Sequence, residues 1–216
     1  MSFDAVLFDL DGTLLDTLED LADAVNQSLG LHDFPPRTLG EYRFFVGNGA
    51  RNLVQRALPE TARDEATVTR CLEAFRRAYA ACWDRKTHPY PGVPELLDAL
   101  ALRGLPMAVL SNKPDDFTRL CVAKLLPRNP FALVAGARPD VPQKPDPTAA
   151  LCIAERLGIA PARFAYVGDS NTDMQTATSA GMFPVGVTWG FRPPEELLAA
   201  GARILITEPG LLLRIV

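Results

Sequence analysis

Two aspartates one residue apart, Asp9 and Asp11, follow the apolar run of residues 5–8 and precede Gly12. The run is typical of a fully buried strand of a parallel sheet, and glycine suits a sharp bend or close approach to a ligand. Both carboxylates are then expected at the strand's carboxyl end, the edge where open α/β sheets bind ligands. One could act as a nucleophile while the other moves a proton. A single aspartate after a strand more often caps a helix or forms a turn, but this pairing weakens that alternative.

A hydroxyl and an amide follow a second predicted strand, residues 107–110. Ser111 Oγ and the backbone N–H of Asn112 could donate to phosphate oxygens, assisted by the start of a helix near Asp115. The alternative is a plain strand-to-helix turn with serine as the cap. Taken alone, the pattern favours that alternative at roughly two to one.

Lys144 precedes Pro145 and a predicted helix that is stopped by Gly158. A lysine before a helix is usually a solvated charge, and helix N-termini do not favour cations. The position therefore indicates either an ordinary surface lysine or a nearby anion. A fixed ammonium here would offset the repulsion between Asp9 and a phosphate dianion.

Asp169 and Asp173 also follow an apolar run and open a predicted helix. A helical start places residues four apart on one side, where their hard oxygens suit Mg²⁺. The alternative is an Asx turn plus a capping residue. Together with Asp9 and Asp11, however, these residues would form an acidic cluster that repels itself without a cation.

The composition is that of an ordinary globular protein of 216 residues with a formal charge of -4. This charge and the absence of a basic patch argue against nucleic acid as a partner. No signal peptide or membrane-spanning run is evident, so the expected location is cytoplasmic. The cysteines are widely spaced among helical apolar positions, which predicts buried thiols and neither disulfides nor a zinc site: Cys71, Cys82, Cys121 and Cys152.

Hydrophobic periodicity divides the chain into two lobes. A helix is predicted from Asp16 to Gly30, and helical patterns follow at residues 49–58 and 64–85. Later in the chain, short apolar runs alternate with helices and predict strands of a parallel sheet at residues 107–110, 133–135, 164–167, 183–187 and 204–206. The expected fold is α/β, with a Rossmann-like parallel sheet core, helices on both faces, and a helical insertion at residues 16–86.

The run of residues 9–13 resembles the Asp-x-Asp-Gly-Thr signature of the haloacid dehalogenase superfamily. The three other polar stretches match that superfamily's remaining motifs in order and type. The resemblance implies phosphoryl transfer. The residue that matches Asp9 attacks phosphorus and becomes a transient aspartyl phosphate, and the residue that matches Asp11 protonates the leaving alcohol and later activates water.

The resemblance also implies a metal site and a phosphoryl site. Mg²⁺ is expected to bind the side chains of Asp9 and Asp169 and the backbone carbonyl of Asp11, with Asp173 supporting the metal or the lysine. The remaining expected roles are support of Asp11 by Thr13 and binding of the phosphoryl group by Ser111 and Lys144.

The insertion at residues 16–86 resembles the small all-α cap domain that these enzymes close over the site, and residues 1–15 and 87–216 then form the catalytic core. Closure would exclude water until the alcohol has left. Gly47, Asn48, Gly49 and Arg51 of the insertion could supply N–H donors and a cation to a substrate carboxylate. The pattern fits equally well with the alternative, a tight helix-entry turn beside a solvated arginine.

Several stretches, among them residues 46–50, 53–58, 90–93 and 186–192, resemble phosphoglycolate phosphatases. The implied partner is a small phosphorylated metabolite, 2-phosphoglycolate foremost, and the chain is expected to act as a monomer or homodimer. A pyrophosphatase and a sugar-phosphate phosphatase or mutase of the same fold are the alternatives. A non-enzymatic binding protein is disfavoured because Asp9, Asp11 and Lys144 are all present.

Overall fold

The structure, a computed structural model, describes residues 3–126, 128 and 131–216. The chain forms two compact units. We call Met1–Leu15 with Pro89–Val216 the sheet unit, and Asp16–His88 the helical unit.

Six parallel strands form the main sheet. The strands of the described residues are, in chain order, β1 (Ala5–Phe8), β2 (Leu15–Asp16), β3 (His88–Pro89), β4 (Met107–Pro114), β5 (Phe131–Ala137), β6 (Phe164–Gly168), β7 (Phe183–Val187) and β8 (Ile204–Ile206). The main sheet has the order β5-β4-β1-β6-β7-β8, and its strand pairings are parallel. The short strands β2 and β3 form a separate two-stranded sheet. The predicted parallel α/β fold is confirmed.

Helices connect the strands of the sheet unit and make up most of the helical unit. The α-helices of the described residues are α1 (Leu18–Gly30), α2 (Leu39–Phe45), α3 (Gly49–Ala57), α4 (Glu65–Ala80), α5 (Val93–Leu102), α6 (Asp115–Leu125), α7 (Thr148–Leu157), α8 (Asn171–Ser179) and α9 (Pro194–Ala199). Short 3₁₀ helices cover Glu60–Ala62, Pro161–Arg163 and Pro209–Arg214.

The central strand β1 is buried on both faces. Leu7 packs in one cluster with Ile153 of α7 and Ala177 of α8. Val6 and Phe8 are equally buried and point to the opposite face, because successive side chains of a strand alternate. A strand covered on both sides needs apolar residues at every position, which explains the uninterrupted run that predicted it.

The helical unit is held together by caps and by packing between α1 and α4. Asp64 caps α4 by accepting from the backbone N–H of Thr67 at 3.0 Å. The Ser28 hydroxyl of α1 donates to the Cys71 carbonyl of α4 at 2.7 Å. The helix predicted from Asp16 begins at Leu18, whose backbone N–H donates to the Asp16 carboxylate.

Some element boundaries differ from those predicted. Strand β4 continues beyond Leu110 to Pro114, with a register shift against β5 between these residues. Helix α4 ends at Ala80, five residues before the predicted Arg85, because the chain then enters a series of turns. Helix α2 was not predicted, although Thr38 and Glu41 form a capping box at its start, which is a recognisable signal.

One cysteine departs from the expected burial. Cys71, Cys82 and Cys121 are buried, but Cys152 is exposed. Helix α7 buries its face around Ile153, and Cys152 lies on the outer side of that helix. Within the part of the chain that the structure describes, no helix is long and apolar enough to cross a membrane.

Candidate active site

The site lies in the sheet unit, where neighbouring strands end at one edge. Strand β1 lies between β4 and β6, with Phe8 level with Val109 and Val167. Asp9 follows β1 directly, and Asp169 follows β6 directly. Parallel pairing therefore brings together two carboxylates that are far apart in the sequence.

The Lys144 ammonium joins the carboxylates of Asp9 and Asp173. Its Nζ lies 2.8 Å from Asp9 Oδ1 and 2.6 Å from Asp173 Oδ1, and it donates to the Leu110 carbonyl at 3.1 Å. The exposed fraction of the lysine side chain is 2%. Lys144 is therefore a buried cation at a cluster of anions, and the ordinary reading of a solvated surface lysine is wrong.

Asp173 has two structural tasks. Its Oδ2 accepts from the backbone N–H and hydroxyl of Ser170, at 3.1 and 2.6 Å, in a capping box at the start of α8. Its Oδ1 binds Lys144 and lies 3.4 Å from the Tyr166 hydroxyl. The Asp173 side chain therefore both caps α8 and supports Lys144.

Asp169 occupies a narrow space between two glycines. Its Oδ2 accepts from the backbone N–H of Phe191 at 2.7 Å. A Cβ added at Gly12 would lie 2.2 Å from Asp169 Oδ2, and one at Gly190 would lie 2.3 Å from Asp169 Cβ. These distances leave no room for a side chain, so both glycines are needed for the backbone to pass this close to the carboxylate.

Asn112 fixes the loop that carries Lys144. Its side-chain amide donates to the Lys144 carbonyl at 3.0 Å and accepts from the Lys144 backbone N–H at 2.9 Å. The neighbouring Ser111 hydroxyl is buried and accepts from the backbone N–H of Lys113 at 3.2 Å. The Asn112 side chain thus positions Lys144, whereas the sequence predicted a role only for the Asn112 backbone N–H.

Asp11 pairs with Lys113, for which the sequence predicted no role. Lys113 Nζ lies 2.9 and 3.1 Å from the two carboxylate oxygens of Asp11. Thr13 was expected to assist Asp11, but its hydroxyl contacts Asp169 Oδ1 at 3.5 Å. Within the described residues, no hydrogen bond joins the side chains of Thr13 and Asp11, because the turn directs the hydroxyl toward the end of β6.

The buried charges shift one another's protonation. Burial raises the pKa of Asp9 well above its usual range, and the Asp173 carboxylate adds to this, while Lys144 opposes it. Burial and Asp173 raise the pKa of Asp169 to about 7, against the lowering effect of the Phe191 N–H. Burial lowers the pKa of Lys144, but Asp173 and Asp9 outweigh it, and the net shift is upward. The ionised acids are therefore costly without further positive charge.

The donor set fits a divalent cation. One carboxylate oxygen from each of Asp9, Asp169 and Asp173 lies within 4.8 Å of the others. Buried carboxylate oxygens that repel one another are hard ligands of the kind that divalent cations bind. Because Asp173 is already engaged by Lys144 and Ser170, Asp9 and Asp169 are the side chains best suited to hold the ion.

The four remaining candidate residues belong to the helical unit. Gly47 and Gly49 have positive φ angles of 114° and 82°, so they form the tight turn at the start of α3. The Asn48 carbonyl accepts from the Asn52 side chain at 2.7 Å. Arg51 forms an ion pair with Glu65. The helix-entry turn considered from sequence is present, and the arginine already has an acidic partner.

Comparison with known proteins gives consistent results. A family model described as haloacid dehalogenase-like hydrolase matches residues 6–187. Phosphoglycolate phosphatases from Pseudomonas putida and Xylella fastidiosa are 37% and 34% identical over 207 and 210 residues. These alignments cover 94% and 97% of this chain, and 76% and 91% of the relatives.

Solved structures agree over nearly the whole chain. A protein from Lactobacillus delbrueckii subsp. bulgaricus has a TM-score of 0.93 at 31% identity, covering 98% of this chain and 97% of its own. A predicted phosphoglycolate phosphatase from Haemophilus somnus has a TM-score of 0.92 at 28% identity, covering 100% and 98%.

Proposed function

Because the chain belongs to the haloacid dehalogenase-like hydrolase family and is a phosphatase, we propose that it hydrolyses a small phosphate monoester, 2-phosphoglycolate foremost. The observation that carries the proposal is the buried cluster in which Lys144 joins Asp9 and Asp173 beside Asp169. The choice of ester draws on the relatives from Pseudomonas putida and Xylella fastidiosa.

In the proposed mechanism, Asp9 attacks phosphorus and Asp11 protonates the leaving group. A bond forms between an Asp9 oxygen and phosphorus, and Asp11 gives a proton to the departing alcohol oxygen. Asp11 then takes a proton from the water that hydrolyses the aspartyl phosphate. Two displacements replace one difficult hydrolysis, and the second carboxyl group moves the proton in each.

The phosphoryl group would be held by donors in the carboxyl-terminal half of β4 and in the loop between β5 and α7. Lys144 supplies positive charge beside Asp9, which offsets the repulsion between this carboxylate and the incoming dianion. The Ser111 hydroxyl and the Asn112 backbone N–H are proposed to donate to phosphoryl oxygens. The Asn112 amide keeps Lys144 in place through its two bonds to the lysine backbone.

We propose that the divalent cation is Mg²⁺, which the side chains of Asp9 and Asp169 and the backbone carbonyl of Asp11 would hold. Asp173 supports the site through Lys144, and Thr13 through Asp169. When bound, Mg²⁺ supplies positive charge that screens the nucleophile from the phosphoryl oxygens.

The helical unit is proposed to act as the cap that excludes water while the ester reacts. We propose that Gly47, Asn48, Gly49 and Arg51 contribute to substrate recognition from this unit. The Arg51 guanidinium would have to leave Glu65, which is inexpensive because the pair is largely exposed.

Phosphate release from a panel of phosphate esters and pyrophosphate tests the proposal. The panel holds 2-phosphoglycolate, pyrophosphate, several sugar phosphates and p-nitrophenyl phosphate, each with Mg²⁺ and with a chelator. We expect Mg²⁺-dependent release and the highest kcat/KM for 2-phosphoglycolate. A profile that peaks at another compound of the panel would refute 2-phosphoglycolate as the substrate, and no release from any of them would refute the phosphatase mechanism.

Stability should fall with rising pH in the metal-free protein. The folded pKa of Asp169 is about 7, above its unfolded value of 3.8, so between these values the unfolded chain binds fewer protons than the folded one. This acid should therefore lower the free energy of unfolding by on the order of 4 kcal/mol as pH rises through that window. Mg²⁺ should reverse the loss, and raise Tm more at high pH than at low pH.

Thermal unfolding with chelator or Mg²⁺ across this pH range checks the expectation. Asp169→Asn is the matched variant, because asparagine keeps the shape and removes the titrating group. It should show a weaker pH dependence and a smaller Mg²⁺ effect. An equal Mg²⁺ effect in both proteins would contradict the placement of the ion at Asp169.

A further inference from the structure

Lys113 is a buried cation whose location is well defined. Its side chain is 3% exposed, and its ammonium contacts both oxygens of Asp11, whose side chain is 13% exposed. The Lys113 backbone N–H donates to Ser111 Oγ, and its carbonyl accepts from the Thr118 hydroxyl at 3.1 Å. Both main-chain groups are fixed, so the pair with Asp11 is a built feature of the site.

A pair of this kind is weak evidence for stability alone, since apolar residues can often replace a buried ion pair at no cost. Its location suggests a different use. The proposed mechanism needs an Asp11 oxygen at the leaving alcohol, yet the ammonium contacts both oxygens. Lys144 is engaged with Asp9 and Asp173 on the phosphoryl side, so Lys113 is the lysine that lies beside Asp11.

We propose that Lys113 selects esters whose alcohol part carries a carboxylate close to the ester oxygen. The substrate carboxylate takes the ammonium from Asp11, and Asp11 becomes free to act on the leaving oxygen. The inference rests on the proposed function, which it deepens by naming the residue that recognises the second anionic group. An ester of a neutral alcohol has no group to exchange for Asp11 and leaves the pair closed.

Transfer of the phosphoryl group to Asp9 follows the exchange. A bond forms between an Asp9 oxygen and phosphorus, and the bond between phosphorus and the ester oxygen breaks. Asp11, freed from the ammonium, takes up a proton from water and passes it to that oxygen, so glycolate leaves as an alcohol whose carboxylate is still paired with Lys113. Binding of the substrate carboxylate to Lys113 and release of Asp11 from that lysine are therefore one event.

The test compares kcat/KM for 2-phosphoglycolate and for 2-hydroxyethyl phosphate, which has a neutral hydroxymethyl group in place of the carboxylate. We expect the wild-type protein to prefer 2-phosphoglycolate. Lys113→Met should lower the ratio of the two values about 100-fold, the size expected when one member of a close charge pair is removed. Lys113→Arg keeps the charge and should retain most of the ratio.

Two further variants serve as comparisons. Lys124→Met removes an exposed lysine of α6 and should leave the ratio unchanged. Arg51→Ala tests the competing cation of the helical unit. A fall of the ratio in Arg51→Ala but not in Lys113→Met would place the selection in the helical unit and overturn the proposal.

Other outcomes are equally decisive. Equal losses on both esters in Lys113→Met would show that Lys113 serves only to position Asp11. A wild-type ratio below one would also overturn the proposal, without any variant. Lys113→Gln replaces the methionine variant if thermal unfolding shows that the latter is unfolded. Failure of the wild-type protein to hydrolyse any ester would instead refute the proposed function.

Discussion

Replacing Asp9 by asparagine should abolish turnover and leave the protein folded. The amide keeps the size of the side chain and an acceptor for Lys144, but it is not a nucleophile. The expected loss in kcat is on the order of 10⁴-fold or more, as for other enzymes that lose the attacking group. Steady-state phosphate release from 2-phosphoglycolate and p-nitrophenyl phosphate measures it.

The same variant should be at least as stable as the wild-type protein when no metal is present. Burial and the Asp173 carboxylate raise the pKa of Asp9, so its ionised form costs stability at neutral pH, and asparagine avoids that cost. Asp4→Asn, the same change at an exposed ion pair with Arg163, is the matched control and should keep full activity. Substantial hydrolysis by pure Asp9→Asn would refute the covalent route.

Lys144→Met should cause the second large effect, a loss of both activity and stability. Methionine leaves the carboxylates of Asp9 and Asp173 buried without their shared cation. Removing one partner of a buried ion pair costs about 3–5 kcal/mol, which corresponds to a fall in Tm of about 10 °C. The loop itself should stay in place, because Asn112 holds the lysine backbone rather than its side chain.

Thermal unfolding and kcat with p-nitrophenyl phosphate measure both effects. Mg²⁺ should restore part of the lost stability, since it supplies positive charge to the same carboxylates. Lys124→Met, at an exposed lysine of the sheet unit, is the control and should change neither quantity. An unchanged Tm in Lys144→Met would mean that the ammonium is not the cation that stabilises the cluster.

The inner strands of the sheet were predictable because they are buried on both faces. A run such as residues 5–8 must be apolar at every position to pack under helices on each side, and that constraint is visible locally. The extension of β4 to Pro114 was not visible, because it passes through the polar residues Ser111, Asn112 and Lys113. Helix α2 was missed because it is short and carries few buried residues, although its capping box is a local signal.

The site was predictable to the extent that chemistry follows strand ends. Asp9 and Asp169 could be placed at one edge because parallel strands end together. The pair of Lys113 with Asp11 depends on the neighbouring positions of β1 and β4, which no local pattern specifies. Gly190 likewise faces Asp169 only after the chain has crossed from β6 to the loop beyond β7. The roles proposed for these residues, and for the turn at Gly47, stay predictions for experiment.

We propose that the phosphoryl group passes through Asp9, and rapid quench of Asp11→Asn with radiolabelled p-nitrophenyl phosphate can trap it there. This substrate has a good leaving group, so the first displacement needs little help from Asp11, whereas hydrolysis of the intermediate needs a base. We expect labelled protein to accumulate toward one phosphoryl group per chain, with the label on the peptide that contains Asp9. Consumption of substrate without labelled protein at any time would contradict the claim.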